Sequence, residues 1–180
     1  PLGYEVSAFY GLLGDGTAVI ESAAICGLSL VPKEMRNPLF TTTYGVGQII
    51  KEIVSKGYQK IIIGLGDSAT NDGGVGALQA LGVRFLDNFG KDISFGGGQL
   101  SQITRIEMDS PHLFNLDIVV ACNPSSILCG PEGTSIIYGP QKGATPEMIS
   151  HLNESLYHYA AKVWDYLGYD IRFIPGGGGP

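Results

Sequence analysis

The sequence has few basic residues and no long hydrophobic run, and each shortage argues against a class of protein. Only 16% of its 180 residues are charged, and 11 Lys and Arg against 17 Asp and Glu give a net charge of −6. The basic residues stand singly, so no positive stripe is present to bind a phosphate backbone, and we expect no nucleic-acid partner. The longest apolar stretches, such as Ile61-Ile62-Ile63, fall far short of the roughly 18 residues that a membrane-spanning helix needs.

Cysteine and histidine are also scarce. Cys26, Cys122 and Cys129 are odd in number and lack C-x-x-C spacing, so we predict buried thiols in a reducing compartment. No basic-then-apolar leader is visible, and we therefore expect a cytoplasmic protein. His151 and His158 would lie about 10.5 Å apart along a helix, too far to share one metal ion, and we expect both to be solvated.

Glycine, in contrast, is abundant: 27 of the 180 residues are glycine, about twice the usual share. The glycines cluster after apolar runs, which is typical of loops on a folded scaffold. The length fits one domain, and we predict a single domain over residues 1–180.

Hydrophobic periodicity predicts alternating strands and helices, and therefore an α/β fold with a layered sheet and flanking helices. Helices are predicted over residues 44–56, 75–81 and 146–167. Strands are predicted over residues 6–10, 18–21, 60–65, 83–86, 103–108, 117–122, 135–138 and 169–174. Neither the order of the strands in the sheet nor the oligomeric state can be read from these patterns.

The loop between the strand at 60–65 and the helix at 75–81 is the strongest candidate site. Glycines let the backbone approach a ligand, and free amides at a helix start attract phosphate or carboxylate. The substrate- or phosphate-binding candidates here are Gly66, Ser68, Thr70, Asn71, Gly73 and Gly74. Asp72 could hold a metal ion or accept a hydroxyl proton. The alternative is a tight connection in which these residues only supply turns and caps.

Two further clusters are also candidate ligand-binding sites. Lys142 and Gly143 lie in a glycine-rich string just ahead of the long helix, where a lysine suits an anionic ligand, although a solvated loop lysine is the alternative. Asn123 follows the strand at 117–122, and ligands of open α/β sheets bind at such strand ends. Its alternative is an ordinary Asn-Pro turn.

Nucleotide-binding motifs support a second, weaker interpretation of the loop between the strand at 60–65 and the helix at 75–81. Gly64-x-Gly66-x-x-Ala69 with Asp87 after the next strand fits the spacing of a dinucleotide fingerprint, which would indicate a dinucleotide-dependent oxidoreductase. The poor helix formers at 70–74 prolong the loop and weaken that match. No Walker string occurs in the sequence. A non-catalytic binding domain remains a further alternative.

Three longer strings carry a resemblance to a known family. They are Ser68-Ala69-Thr70-Asn71-Asp72-Gly73-Gly74, Arg36-Asn37-Pro38-Leu39 with Thr41-Thr42-Thr43-Tyr44-Gly45, and Gly139-Pro140-Gln141-Lys142-Gly143-Ala144. With them the chain resembles the bacterial-type glycerate kinases, which include the glycerate 2-kinases. The resemblance covers all 180 residues but only the middle section of a family roughly twice as long, so we expect a fragment of a two-domain protein.

The resemblance implies an ATP-dependent enzyme that phosphorylates glycerate at its 2-hydroxyl, with Mg²⁺. Asp72 would contact the magnesium ion or the attacking hydroxyl, and Lys142 would offset negative charge. Two positions depart from the family's pattern: Asp67 stands where glycine is typical, and Asn123 stands where an aspartate is usual. We expect the fragment alone to fold and to be inactive.

Overall fold

The structure is a computed structural model that describes residues 1–108, 115–122 and 125–178. The α-helices of these residues are α1 (Ala23–Cys26), α2 (Tyr44–Ser55), α3 (Val75–Ala80), α4 (Thr134–Tyr138) and α5 (Pro146–Leu167). The strands are β1 (Gly11–Leu12), β2 (Ala18–Glu21), β3 (Lys60–Gly64), β4 (Val83–Leu86), β5 (Arg105–Met108) and β6 (Asp117–Ala121). In the described chain, no helix is long and apolar enough to cross a membrane.

The main sheet places three strand ends at one edge. Its order in the described residues is β1-β2-β3-β6, with β2, β3 and β6 parallel and β1 antiparallel to β2. Ile61 of β3 is paired with Ala18 on one side and Ile118 on the other. Parallel strands with helical connections confirm the α/β prediction.

One hydrophobic core lies between this sheet and α2. The spacing of Val46, Ile50 and Ile53 puts them on one face of α2, where all three are buried. They pack in one cluster with Ile61 and Ile63 of β3. The amphipathic pattern of the sequence therefore predicted both the helix and the face that it buries.

A second core lies between α5 and the antiparallel pair β4-β5. Leu156 and Val163 of α5 pack in one cluster with Phe85 of β4 and Ile106 of β5. Thr145 caps α5 by accepting a hydrogen bond from the Met148 amide at 3.3 Å. The helix ends at Gly168, which adopts a left-handed conformation with φ 69°.

Predictions about the histidines and cysteines are corrected in part. His158 is half-buried and its Nε2 lies 2.6 Å from the carbonyl oxygen of Ile103, so the expectation of a solvated side chain is wrong there. Cys26 and Cys129 are buried free thiols as expected, whereas the free thiol Cys122 is only half-buried.

Three predicted strands are wrong. Residues 6–10 form no strand, because the tight turn closed by the Leu13 amide and the Thr17 carbonyl pairs β2 with Gly11 and Leu12 instead. Residues 135–138 belong to α4, which packs against α5. Residues 169–174 form no strand, because the Asp170 carboxylate accepts a hydrogen bond from the Arg172 amide at 3.0 Å and a turn follows at residues 172 and 173.

Candidate functional site

A cavity of about 260 Å³ opens at the carboxyl ends of the parallel strands. Ser22 follows β2 directly, Leu65 follows β3 and Val120 lies near the end of β6, and all three line the cavity. Ligands of open α/β sheets bind outside such strand ends. The cavity is slightly smaller than the roughly 300 Å³ lower bound of drug-sized pockets, so its size suits a small metabolite.

Most of the candidate residues meet at this cavity. Those that line it are Ser68, Thr70, Asn71, Asp72, Gly73, Gly74 and Lys142. Gly66 and Gly143 do not line it; Gly143 packs against the backbone of Arg36 instead. Asn123 lies outside the described residues. The structure therefore brings the first two sequence clusters together across about seventy residues of chain.

Lys142 is the most unusual group in the cavity. Only 2% of the residue is exposed, and its Nζ donates to the Ser68 hydroxyl at 3.0 Å and to the Thr70 carbonyl at 2.6 Å. Among the described residues it forms no ion pair. Burial lowers the pKa of Lys142 to about 8, against opposing effects of Cys26 and Asp72. The third N–H of the ammonium group has no acceptor among the described residues, so an anion in the cavity would find a donor there.

Asp72 has a different environment, because donors of the chain surround its carboxylate. Oδ2 accepts from the Thr43 amide at 2.8 Å, the Gly76 amide at 3.2 Å and the Thr42 hydroxyl at 3.3 Å, and Oδ1 accepts from the Gly74 amide at 3.2 Å. The Thr43 hydroxyl lies 2.9 Å and 3.1 Å from the two oxygens. A carboxylate offers about four lone-pair positions, so this one is saturated. The geometry gives Asp72 a structural role that joins the starts of α2 and α3, and its predicted role in catalysis stays a prediction.

The magnesium prediction has little support at this position. Within the described part of the chain, no group of three or more His, Cys, Asp or Glu side chains is placed to hold a metal ion. Magnesium prefers several oxygen ligands in octahedral geometry. The saturated Asp72 carboxylate does not fit that requirement, and we derive no step through a metal ion at this cavity.

The three strings that carry the family resemblance meet in space. Arg36 donates to the carbonyls of Leu28 at 3.2 Å and Gln141 at 3.5 Å, and so connects the second string to the third. The Thr41 hydroxyl donates to the Ala69 carbonyl at 2.7 Å, which connects the second string to the first. Hydrogen bonds therefore join the three strings, although the second contributes only Thr43 to the cavity lining and the third only Lys142.

Two buried polar atoms of the cavity lack a hydrogen-bond partner in the described chain. They are the Ser22 hydroxyl and the Asn71 side-chain oxygen, whose residues are 2% and 4% exposed. The Asn71 amide nitrogen donates to the Ser135 hydroxyl at 3.0 Å, which holds the side chain in place. The sequence predictions omitted Ser22, although its position directly after a parallel strand is a signal that could have found it.

The backbone at Asp67 shows why glycine is typical at this position. It is the one non-glycine residue of the described chain with a positive φ, at 49°, a conformation that glycine adopts without strain. Its side chain is exposed and does not line the cavity. The carboxylate of Asp67 is therefore not part of the cavity wall.

The dinucleotide interpretation of this loop is not favoured by the topology. The strand after α3 is β4, which pairs antiparallel with β5 in a separate sheet and not beside β3. Asp87 accepts hydrogen bonds from the amides of Phe89 at 2.8 Å and Lys91 at 2.9 Å, and so builds a turn. A dinucleotide site needs that acid beside the phosphate loop, at the end of a neighbouring parallel strand.

Comparison with known proteins identifies the family. The family model described as the glycerate kinase family matches residues 1–179. The chain belongs to the glycerate kinase family. It is 51% identical over 181 residues to a glycerate kinase of Haemophilus influenzae and 47% identical over 181 residues to a glycerate 2-kinase of Escherichia coli. The predicted family membership is therefore confirmed.

The structure is also similar to that of a relative, and the matched relatives are longer than this chain. A crystal structure assigned as glycerate kinase 2 from Salmonella typhimurium LT2 superimposes with a TM-score of 0.96 at 47% identity, over 99% of this chain and 49% of that chain. The two curated glycerate kinases are each covered over 48% of their length, against 99% of this chain. The chain thus spans about half the length of the curated relatives that it matches.

Proposed function

We propose that the protein of which this chain is a part phosphorylates glycerate, and that the cavity at the carboxyl ends of β2, β3 and β6 binds the acid. We further propose ATP as the phosphoryl donor and the 2-hydroxyl as the acceptor, which gives 2-phosphoglycerate. Kinase chemistry depends mainly on positioning and charge stabilisation. The proposal therefore concerns which groups of this chain hold the acid.

Lys142 is the observation that carries the proposal. A buried ammonium group without an ion pair is costly unless a ligand supplies the negative charge. The carboxylate of glycerate is such a charge, and Lys142 lies in a cavity of metabolite size in a member of the glycerate kinase family. The net charge of −6 repels anions at long range, so a local cation is needed to attract one.

The neighbouring residues would orient the acid. Ser68 and Thr70 fix the Lys142 ammonium group, and the loop that contains Gly73 and Gly74 starts α3 at the cavity. Gly74 has φ 78°, which places the first turn of α3 without strain. ATP would supply the phosphoryl group. The cavity itself has the size of a small acid.

The test is an ADP-release assay with the full-length protein, ATP and D-glycerate. ³¹P NMR of the product distinguishes the 2-phosphate from the 3-phosphate. Glycerate-dependent ADP release is expected, and it should be lost in Lys142→Met but kept in Lys51→Met, which replaces an exposed lysine. An unchanged rate in Lys142→Met would exclude this cavity as the glycerate site, and no turnover by the wild type would exclude the function.

The 180-residue chain alone is expected to bind the acid without turning it over. The cavity residues named above all belong to the chain, whereas half of the length of the matched relatives does not. Calorimetric titration with D-glycerate and the ADP-release assay together test this expectation. Turnover by the chain alone would show that the whole active site lies within it.

A further inference from the structure

We propose that Ser22 is a substrate-binding residue of this cavity, and that its hydroxyl and the Asn71 side-chain oxygen pair with hydroxyl groups of the substrate while Lys142 pairs with its negative charge. The ligand class is a small anionic compound that carries at least one hydroxyl. The inference rests on the proposed function for the choice of glycerate as the probe.

The first argument is the lack of partners at Ser22 and Asn71. Buried polar groups in folded proteins almost always have a hydrogen-bond partner, because a missing one leaves the desolvation of the group uncompensated. Four buried side-chain atoms of the described chain lack a partner. Two of them, on Ser22 and Asn71, belong to residues that line this single cavity.

The second argument is that Ser22 and Asn71 are held rigidly. The Ser22 amide donates to the Gly64 carbonyl at 3.0 Å, and its own carbonyl accepts from the Cys26 amide at 2.8 Å. These bonds fix the start of α1 to the end of β3. A hydroxyl on such a backbone is preorganised for a ligand, which lowers the entropy lost on binding.

The third argument is chemical complementarity. The free N–H of Lys142 can only donate, the Asn71 oxygen can only accept, and the Ser22 hydroxyl can do either. A ligand that satisfies all three must carry an acceptor, preferably anionic, and a donor. A hydroxy acid has both, whereas a plain carboxylate such as acetate lacks the donor.

Ser22→Ala in the full-length enzyme tests the inference, with Ser155→Ala as the matched control. Ser155 is also buried and its hydroxyl also lacks a partner, but it lies on α5 away from the cavity. Loss of one substrate hydrogen bond should raise the KM for glycerate about tenfold in Ser22→Ala with kcat little changed. Ser155→Ala should leave both constants unchanged.

A second control varies the ligand instead of the protein. Thermal shifts of the wild type and of Ser22→Ala are measured with D-glycerate, L-lactate and acetate. Ser22→Ala should reduce the thermal shift caused by glycerate more than the shift caused by acetate, since acetate carries no hydroxyl for Ser22 to bind.

The outcomes separate the two proposals. Glycerate turnover with equal KM values in Ser22→Ala and the wild type keeps the function and overturns the role of Ser22. Without glycerate turnover the function fails, and the inference then depends on the thermal shifts alone. If neither hydroxy acid stabilises the wild type, or if Ser22→Ala is stabilised as much as the wild type, the inference is overturned.

Discussion

Replacement of Lys142 by methionine should change the pH dependence of stability in a way that the structure predicts. The pKa of Lys142 is lowered from 10.5 to about 8, so between these values the unfolded chain binds more protons at this residue than the folded chain. Stability therefore rises with pH in this window. The penalty for the buried ammonium is complete below about pH 8 and disappears as pH rises towards 10.5.

The magnitude follows from the two pKa values. A shift of this size corresponds to a penalty on the order of 3 kcal/mol at pH 7. Integration of the proton-binding difference gives a recovery on the order of 1 kcal/mol between pH 7 and pH 9. Methionine has a similar length and no charge, so Lys142→Met should remove this rise of the unfolding free energy with pH. At pH 7 Lys142→Met should raise the unfolding free energy by less than the full penalty, because the Ser68 hydroxyl and the Thr70 carbonyl lose a donor.

The assay is urea unfolding of the 180-residue chain and of Lys142→Met from pH 7 to pH 9. Burial raises the pKa values of Cys26 and Cys129 to about 11, which lowers stability above about pH 9 in both proteins. The charge of Lys142 also acts on Cys26, so the comparison ends at pH 9, below the pKa values of both thiols. The difference should change with pH for Lys142→Met and stay constant for the exposed control Lys51→Met. Parallel curves for wild type and Lys142→Met would show that the lysine is not desolvated.

Four further substitutions give distinct results. Asp72→Asn should lower the unfolding free energy by roughly 3 kcal/mol, because an amide NH₂ would face the donors of Thr43 and Gly76; normal urea stability combined with lost turnover would support the catalytic role instead. Asp67→Gly should raise stability by about 1 kcal/mol with unchanged glycerate affinity, and a loss of affinity in calorimetry would contradict its position outside the cavity. Gly76→Ala should destabilise by more than about 2 kcal/mol in thermal unfolding, since its Cβ would overlap the Thr42 hydroxyl. Thr145→Ala should cost about 1 kcal/mol by the same measurement, and no change would mean that the α5 cap contributes nothing.

Elements with a strong local signal could be predicted from the sequence. Helix α5 has a threonine cap, proline in its first turn and glycine after its last, and its bounds match the prediction. Residues 135–138 carried an equally local signal of β-branched residues, but Gly133 and Gly139 end the segment and α5 covers it, so it forms α4. Packing against a distant element decided that case, and local patterns do not contain such information.

In the candidate site, too, features with a local sequence signal could be predicted and features that depend on distant residues could not. The glycine loop was found because its residues adjoin in sequence, and Lys142 because it stands among glycines before a helix. The saturation of Asp72 could not be predicted, since Thr42 and Thr43 lie thirty and twenty-nine residues away.

The distribution of satisfied and unsatisfied groups is itself an argument for a ligand. Around Asp72 the fold supplies more donors than a carboxylate needs, although that residue is as buried as Lys142. Among the described residues, the neighbouring Lys142 has no counter-ion and the Asn71 side-chain oxygen has no donor. Two of the four buried side-chain atoms that lack a partner in the described chain lie at this cavity, so half of that hydrogen-bonding deficit is concentrated there. An anionic hydroxy compound would remove the deficit at both groups together, and its binding should therefore stabilise the chain most strongly below pH 8, where Lys142 is charged.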